Sequence, residues 1–179
     1  MEFIMKDPKK KSKMRTVIYI LVCLAVIVSG VIFFFGPYIA RFGMWTVVQR
    51  NKMAAERGDI DAMHELATLY STGYCYIKRD VPEAVKWLRK AAELGDAKAQ
   101  YELGFYYDAG DGVPQDLAEA VNWWHRAAEQ GNMDAQNHIG ACYAEGYGVP
   151  QNIEAAIAWW TKAAEQGHGY AMKNIGDCY

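Results

Sequence analysis

The side chains that could carry out chemistry are few, and their spacing matches no catalytic or metal-binding pattern. None of the four histidines (His64, His125, His138 and His168) has a partner at the spacing of the zinc motif H-E-x-x-H. Ser71 is the one serine in residues 41–179, so no serine nucleophile with an adjacent base can be nominated. The sequence also lacks a glycine-rich phosphate loop. We therefore expect no enzyme activity, no metal and no cofactor.

The four cysteines contain no C-x-x-C pair, which argues against a zinc site or a disulfide scaffold. Cys142 and Cys178 stand 36 residues apart, at equivalent places of the repeat described below. A disulfide between them is the alternative in an oxidising compartment. Equivalent atoms of stacked helices lie about 8–10 Å apart, beyond the usual Cα separation of about 7 Å. Two small buried side chains are therefore favoured, and Cys75 is the predicted exposed thiol.

An internal repeat supplies the elements that must position these side chains. The string WWHRAAEQG (Trp123–Gly131) recurs 36 residues later as WWTKAAEQG (Trp159–Gly167), and a weaker copy, WLRKAAELG, begins at Trp87. Upstream, LGFYYDAGDGVPQDLAEA (residues 103–120) matches IGACYAEGYGVPQNIEAA (residues 139–156). A period of this length is typical of solenoids, in which each unit stacks on its neighbours and shares a core with them.

Each unit reads as helix, turn, helix. Ala99, Leu103 and Tyr107 fall at i, i+4 and i+8, on one face of a first helix. Asp116 and Glu119 have the spacing of a capping box at the start of the second helix. Glycines in the middle of the first helix indicate close approach of another helix. The predicted units are residues 61–96, 97–132 and 133–168, between a connector with a half-repeat helix (residues 41–60) and a half-repeat (residues 169–179).

This pattern closely resembles the Sel-1-like repeat family, a relative of the tetratricopeptide repeats. The family pattern A-x-x-x-L-G-x-x-Y-x-x-G-x-G-V, then A-x-x-W, then K-A-A-E-Q-G, is met almost fully in the second and third copies, and the resemblance covers about residues 50–179. The first copy departs from it at Ala67 and in its loop, residues 74–78. The resemblance implies an all-α fold, a right-handed α-solenoid of helix–turn–helix repeats with a concave surface that binds protein partners.

The N-terminal region contains a candidate transmembrane helix. Residues 16–40 hold no charged side chain, and 19–25 helical residues span roughly 28–37 Å, enough for a hydrocarbon core of about 30 Å. The alternative is a cleaved signal peptide, whose apolar region is about 7–15 residues and is followed by a small-residue cleavage site. The longer run favours a retained transmembrane helix preceding the solenoid. Its predicted anchor residues are Val17, Phe33, Phe34, Phe35 and Tyr38.

Charge predicts the orientation of this segment. Residues 1–15, the predicted basic cytoplasmic tail, carry six Lys or Arg against two acids, so the remainder sums to −6 within a total of −2. The positive-inside rule places the tail in the cytoplasm and the repeats on the far side. We expect a single-pass protein of the bacterial inner membrane with periplasmic repeats. An acidic body is a poor binder of nucleic acid, so none is expected as a partner.

Positions that vary between copies on the first helices are the predicted partner-binding surface. Phe105 and Tyr106 correspond to Ala141 and Cys142 in the third copy, and unshared aromatic residues indicate recognition rather than scaffold. His138 is predicted to be exposed, because polar residues occupy its position in other copies. The predicted partner-binding set is Met63, Tyr101, Glu102, Phe105, Tyr106, Asn137, His138, Trp124 and Trp160.

The paired tryptophans allow two interpretations. Trp123, Trp159 and Trp87 match the core tryptophan of the family pattern, and His125 beside them is predicted to be solvated. Trp124 and Trp160 lie one step round the helix, either buried between repeats or partly exposed as interface anchors. Burial is favoured.

The resemblance leaves two hypotheses of function. Membrane-tethered Sel-1-like proteins occur as immunity proteins that neutralise phospholipase toxins of type VI secretion, and the acidic body would suit a basic toxin surface. The alternative is a scaffold for envelope assembly or quality control that holds several partners. One tight partner would favour the first hypothesis and several weaker partners the second.

Overall fold

The computed structural model describes residues 43–74 and 76–178, and every regular element in that part of the chain is an α-helix. The first, α1, covers residues 43–56. Seven further helices follow in the described residues: α2 (Ile60–Thr72), α3 (Val81–Glu93), α4 (Ala97–Ala109), α5 (Leu117–Glu129), α6 (Met133–Glu145), α7 (Ile153–Glu165) and α8 (Gly169–Gly176).

The predicted basic tail and transmembrane helix lie outside the described residues, as do Cys75 and Tyr179. The anchor positions Val17, Phe33, Phe34, Phe35 and Tyr38 therefore stay predictions. Across residues 43–74 and 76–178, no helix is both long enough and apolar enough to cross a membrane.

The helices form the predicted solenoid of helix pairs. The described residues from 47 onward belong to one compact unit. In it each helix from α3 to α7 packs mainly against the helices before and after it, so that α2 packs on α3 and α8 on α7. The pairs α2–α3, α4–α5 and α6–α7 are the three full repeats, and α8 begins a fourth. In each pair we call the members the first and second helix.

Polar side chains at fixed places begin the helices. Asp96 accepts a hydrogen bond from the Ala99 amide at 2.7 Å to start α4, and Asp116 accepts one from the Glu119 amide at 3.0 Å to start α5. The same bond recurs at the start of the other full-repeat helices, where the cap residue is Asp59, Asp80, Asn132 or Asn152. Each cap satisfies one of the amides that a helix N-terminus leaves without an intrahelical partner.

The mid-helix glycines are explained by tryptophans of the second helices. A Cβ atom added at Gly104 would lie 2.2 Å from Nε1 of Trp124, and one added at Gly140 would lie 2.5 Å from Nε1 of Trp160. In the first pair the equivalent residues are Ala67 and Leu88, which are both buried. A glycine is therefore present where an indole must pack against the first helix, and alanine is sufficient beside leucine.

Two glutamines connect successive repeats from within the core. Gln100 and Gln136 are each 5% exposed, and their side-chain amides donate to the carbonyls of Ala92 at 3.0 Å and Ala128 at 3.1 Å. Gln130 donates in turn to the Gln100 side chain at 2.6 Å. Because these bonds satisfy buried polar groups at the turn between repeats, they fix how one repeat sits on the next.

Candidate functional site

The first helices lie side by side and meet through their side chains. His64 on α2 is 2.8 Å from Asp96, the cap of α4, and Tyr101 on α4 contacts His138 on α6 with ring centroids 6.2 Å apart. Asn174 on α8 donates to Asn137 on α6 at 3.2 Å. We call the surface made by these side chains of α2, α4, α6 and α8 the first-helix face.

Four rings form a cluster in the middle of this face, which we call the aromatic cluster: Tyr101, Phe105, Trp124 and His138. Phe105 lies at the centre, with its ring centroid 5.0 Å from that of Tyr101 and 5.2 Å from those of Trp124 and His138. The Trp124 and His138 rings are closer still, at 4.1 Å. The contacts are edge-to-face, the geometry that aromatic quadrupoles favour.

The aromatic cluster rests on a buried side chain toward the core and is exposed to solvent on its other side. Trp124 is fully buried, and its Nε1 donates to the backbone carbonyl of Tyr101 at 3.1 Å. Phe105 keeps 39% of its surface exposed, and Tyr101 and His138 are half-buried. An aromatic platform of this kind gives a partner a large contact area at little cost in side-chain entropy.

His138 is less exposed than the sequence predicted, because it fills the gap between α4 and α6 beside Trp124. Burial lowers the pKa of its imidazole below the ordinary value, and the carboxylates of Asp108 and Glu145 act in the opposite direction. The ring is therefore neutral at neutral pH and belongs to the aromatic surface.

Carboxylates surround the aromatic cluster. Burial, with the charge of Asp134, raises the pKa of the Tyr101 hydroxyl, and Glu102 lies 3.9 Å from Nδ1 of His64. At the other end of the cluster Asp108 accepts a hydrogen bond from the Tyr147 hydroxyl, a bond that raises the pKa of that tyrosine. The cluster is thus an apolar surface within a negatively charged one.

The structure distributes the predicted partner-binding residues unevenly. Tyr101, Phe105 and His138 come together in the aromatic cluster, and Glu102 and Asn137 lie on the same face. Tyr106 is half-buried and packs against the core. Three members of the set, Met63, Trp124 and Trp160, are 2%, 0% and 5% exposed. They are therefore not part of the open surface, and the burial favoured for both tryptophans is observed.

The other tryptophans differ between copies. Trp87 and Trp123 are buried, as expected for the core position, whereas Trp159 is only half-buried. His125, predicted to be solvated, is half-buried and lies edge-on to Trp159 with ring centroids 5.2 Å apart. The contact forms because the two residues are on adjacent second helices, α5 and α7.

The two cysteines that the structure describes are Cys142 and Cys178. Cys142 is buried, and burial raises the pKa of its thiol to about 11, so it stays protonated and unreactive. Cys178 is exposed rather than buried, and both thiols are free. The expectation of two buried side chains is wrong for Cys178, since no described helix covers the far side of α8.

The described residues do not include a group of His, Cys, Asp and Glu side chains that could hold a metal ion. An open groove of about 530 Å³ lies beside the loop before α3, where Arg79 pairs with Asp111 at 3.0 Å. This ion pair is exposed, as are Lys78 and Asp80 in the same groove. The aromatic cluster is therefore the candidate site.

Comparison with known proteins identifies the repeat. The family model of the Sel1 repeat matches residues 60–96, 97–132 and 134–168, which agree with the three helix pairs. This chain belongs to the Sel1 repeat family. Sel1 repeats are modules of protein–protein interaction, and the first-helix face described above is the surface on which this chain presents unshared aromatic residues.

Three relatives illustrate the match. A Sel1 repeat protein from Oxalobacter formigenes has 39% sequence identity and a TM-score of 0.66, and the match covers 72% of this chain and 96% of that one. A protective antigen present in uropathogenic Escherichia coli strains has 40% identity and a TM-score of 0.66, over 70% of this chain and 27% of the antigen. Chitin synthase regulatory factor 1 of Schizosaccharomyces pombe is 37% identical over 84 residues, or 46% of this chain.

This chain spans only 18% of the yeast protein and 27% of the bacterial antigen. The similarity therefore concerns the repeats they share. The Oxalobacter protein, by contrast, is matched along nearly all of its length.

Sequence reasoning found the members of the aromatic cluster one by one and missed their assembly. Phe105 and His138 are 33 residues apart, and only the stacking of α4 on α6 brings their rings to 5.2 Å. One sequence signal for this packing is that Ala67 and Leu88 of the first repeat are both replaced in the second, by Gly104 and Trp124. It indicates that a bulky ring lies directly under the first helix of the second repeat.

Proposed function

We propose that this Sel1 repeat chain binds a protein partner through the first-helix face, with the aromatic cluster as its central contact. The observation that carries the proposal is a partly exposed Phe105 packed on the fully buried Trp124. Interface residues that dominate binding are typically aromatic and sit at the centre of a well-packed patch with polar residues around it. The carboxylates around the cluster would form that polar rim.

We propose further that residues 16–40 tether the chain to the bacterial inner membrane, with the repeats in the periplasm. The support is the uncharged length of this segment and the basic residues before it. Tethering would hold the repeats at the membrane surface and raise their effective concentration toward any partner that acts there.

The most concrete form of the proposal is an immunity protein that neutralises a phospholipase toxin delivered by type VI secretion. Its support is the resemblance stated from the sequence together with the acidity of the first-helix face, which suits a basic protein surface. Binding alone would be sufficient for such a function. The alternative is an envelope scaffold with several partners, as a face of four parallel first helices could also serve.

Affinity capture distinguishes the two forms. The full chain, solubilised in dodecyl maltoside and immobilised, would be exposed to lysates of the source cells and of competing strains. The immunity function predicts one stoichiometric partner whose hydrolysis of phospholipid vesicles stops on binding. Several endogenous envelope proteins with no inhibited lipase would instead support the scaffold, and the absence of any retained protein would contradict both.

A reporter fusion tests the topology. Alkaline phosphatase, which is active only outside the cytoplasm, would be fused after Tyr179, with β-galactosidase at the same point as the matched control. We expect phosphatase activity and no galactosidase activity in membrane fractions. The reverse pattern would place the repeats in the cytoplasm and remove the periplasmic part of the proposal.

A further inference from the structure

We propose that the aromatic cluster, together with the carboxylates of Asp108 and Glu145, is a docking surface for an arginine side chain presented by the protein partner. This inference rests on the proposed function, because it names the chemistry of the partner at the same face. It is built from three observations: the exposed rings, the placement of the two acids, and their lack of a basic neighbour.

The rings supply a surface suited to a guanidinium group. Tyr101, Phe105 and His138 line one patch, with Phe105 the most exposed and its neighbours' centroids 5.0 and 5.2 Å away. Arginine stacks on aromatic faces because its planar cation is attracted by the negative charge of the ring face and is weakly hydrated. Trp124 beneath the patch restricts the movement of Phe105.

The two carboxylates lie beside the rings on the same helices. Asp108 follows Phe105 by three positions on α4, and Glu145 follows His138 by seven on α6, so each shares a helix face with its ring. Both charges raise the pKa of the His138 imidazole and of the Cys142 thiol, against burial at His138 and together with burial at Cys142.

The position of these acids works against helix stability. Asp108 and Glu145 are in the last turns of α4 and α6, where the helix dipole is negative and an acidic side chain is unfavourable. The other copies have Ser71 and Ala144 in place of Asp108, and Thr72 and Ala109 in place of Glu145. Among the first helices of the three full repeats, only α4 and α6 have an acid in the last turn, and these are the two that carry the aromatic cluster.

Neither carboxylate has a basic neighbour among the residues that the structure describes. Among residues 43–74 and 76–178, no Lys, Arg or His nitrogen lies within 4.0 Å of Asp108 or Glu145. The Tyr147 hydroxyl donates to one oxygen of Asp108 and leaves the other available. The negative charges of these two carboxylates are therefore not neutralised by the described residues and are available to a cation from a partner.

Arginine fits this combination better than lysine or an apolar anchor. Its fork of N–H donors binds a carboxylate while its plane stacks on a ring, whereas the lysine ammonium is compact and strongly hydrated. An apolar anchor would use the rings but would desolvate the carboxylates without replacing their hydrogen bonds.

Synthetic peptides can stand in for the partner in a direct test. The full chain in dodecyl maltoside would be titrated with the peptide (Gly-Ser-Arg)4 and with matched peptides carrying lysine or glutamate at the arginine positions. Calorimetry would measure the dissociation constant, and NMR would follow the Trp124 indole N–H and the His138 imidazole signals. We expect binding of the arginine peptide with shifts at both residues, weaker binding of the lysine peptide and none of the glutamate peptide.

Two variants and a matched control locate the binding. Asp108→Asn with Glu145→Gln, and separately Phe105→Ala, should each weaken binding of the arginine peptide by about tenfold. The control is Glu93→Gln with Glu165→Gln, which removes two exposed acids from the ends of α3 and α7 and changes the net charge equally. It should change the dissociation constant by less than about twofold, since remote exposed charges are largely screened.

The outcomes separate this inference from the proposed function. The inference is overturned if the arginine peptide does not bind, if the lysine peptide binds equally well, or if the control pair weakens binding as much as the Asp108 and Glu145 pair. If the peptide fails while affinity capture still yields a protein partner, the interaction function stands and only the arginine site is lost. Circular dichroism of each variant shows that the comparison is made on folded protein.

Discussion

The α2–α3 and α4–α5 pairs have the same backbone arrangement and differ in the side chains that pack within it. In the α4–α5 pair Gly104 faces the Trp124 indole, and Gln100 bonds Gln130. In the α2–α3 pair, Ala67 and Leu88 stand in place of Gly104 and Trp124. Met63 and Leu94 stand in place of Gln100 and Gln130. The substitutions come in pairs, each exchanging a complementary combination for another. The core therefore constrains pairs of residues rather than single positions.

The surfaces of the same two helix pairs also differ, and here the changes are not exchanges between two contacting residues. On the first-helix face α4 carries Tyr101 and Phe105, whereas α2 carries His64 and Thr68 at those places. His64 is engaged with Asp96 at 2.8 Å, while Phe105 remains partly exposed. The difference supports the proposal that α4 and α6 carry the partner-binding surface and that α2 serves as scaffold.

Breaking the glycine–tryptophan pair should have the largest effect on stability. Gly104→Ala puts a Cβ atom into the Trp124 indole, and overpacking of this kind costs about 1–3 kcal/mol in the free energy of unfolding. Trp124→Leu removes buried volume and the hydrogen bond to Tyr101, at about 2–4 kcal/mol. The double variant recreates the combination of the first pair, so its cost should be well below the sum.

Urea unfolding followed by circular dichroism measures this double-mutant cycle. Ala67→Gly in the first pair is the control and should cost only about 1 kcal/mol, the usual penalty of glycine within a helix. Additive costs for Gly104→Ala and Trp124→Leu would show that the two residues do not constrain each other.

The hydrogen-bonded pair of buried Gln136 and exposed Gln166 offers a smaller test of the same idea. Gln136→Met leaves the Ala128 carbonyl without its donor and Gln166 without its acceptor, so it should cost about 1–2 kcal/mol. Adding Gln166→Leu recreates the Met63 and Leu94 combination and should recover part of the loss. If Gln166→Leu makes the Gln136→Met protein less stable in urea unfolding, the apolar pair is not a substitute at this repeat junction.

His138 gives the smallest expected effect and concerns the surface. Burial holds its folded-state pKa below the unfolded value, so the unfolded chain binds more protons as pH falls through about 6.5. The folded state is therefore favoured above that pH and loses stability below it. His138→Gln should reduce the loss of thermal stability between pH 7.5 and 5.5, and an unchanged loss would assign it to other groups.

The pKa of His138 also tests whether Asp108 and Glu145 belong to the same site. Asp108 and Glu145 raise its pKa against the effect of burial, so Asp108→Asn with Glu145→Gln should lower that pKa further. NMR titration of the imidazole measures the change directly. No change would mean that these carboxylates are not close enough to His138 to form one site with it.

Much of the fold could be predicted because its signals are local. The 36-residue period, the Asp and Asn caps and the apolar spacing predict three helix pairs within residues 61–96, 97–132 and 133–168. The observed pairs cover residues 60–93, 97–129 and 133–165. Helix starts depend on a cap and an amide three residues later, as at Asp116 and Glu119. Such information lies within one turn of chain and can be read without a fold.

The candidate site depended on contacts that no local signal contains. Met63 is predicted to face a partner because it varies between copies, yet it is 2% exposed and stands at the core position that Gln100 and Gln136 occupy in the other repeats. Variation alone does not distinguish a surface position from a core position whose partner has also changed.

The sequence by itself determined that this chain is an all-helical Sel1 repeat protein with an acidic body, because period, caps and charge are properties of the chain. Only the tertiary structure decided that Phe105, His138 and Trp124 form one cluster and that Asp108 and Glu145 lie beside it. The physical reason is that adjacent helices bring together residues about one repeat apart, and the shapes of the side chains between them set which rings meet. The proposed recognition surface depends on that packing across repeats.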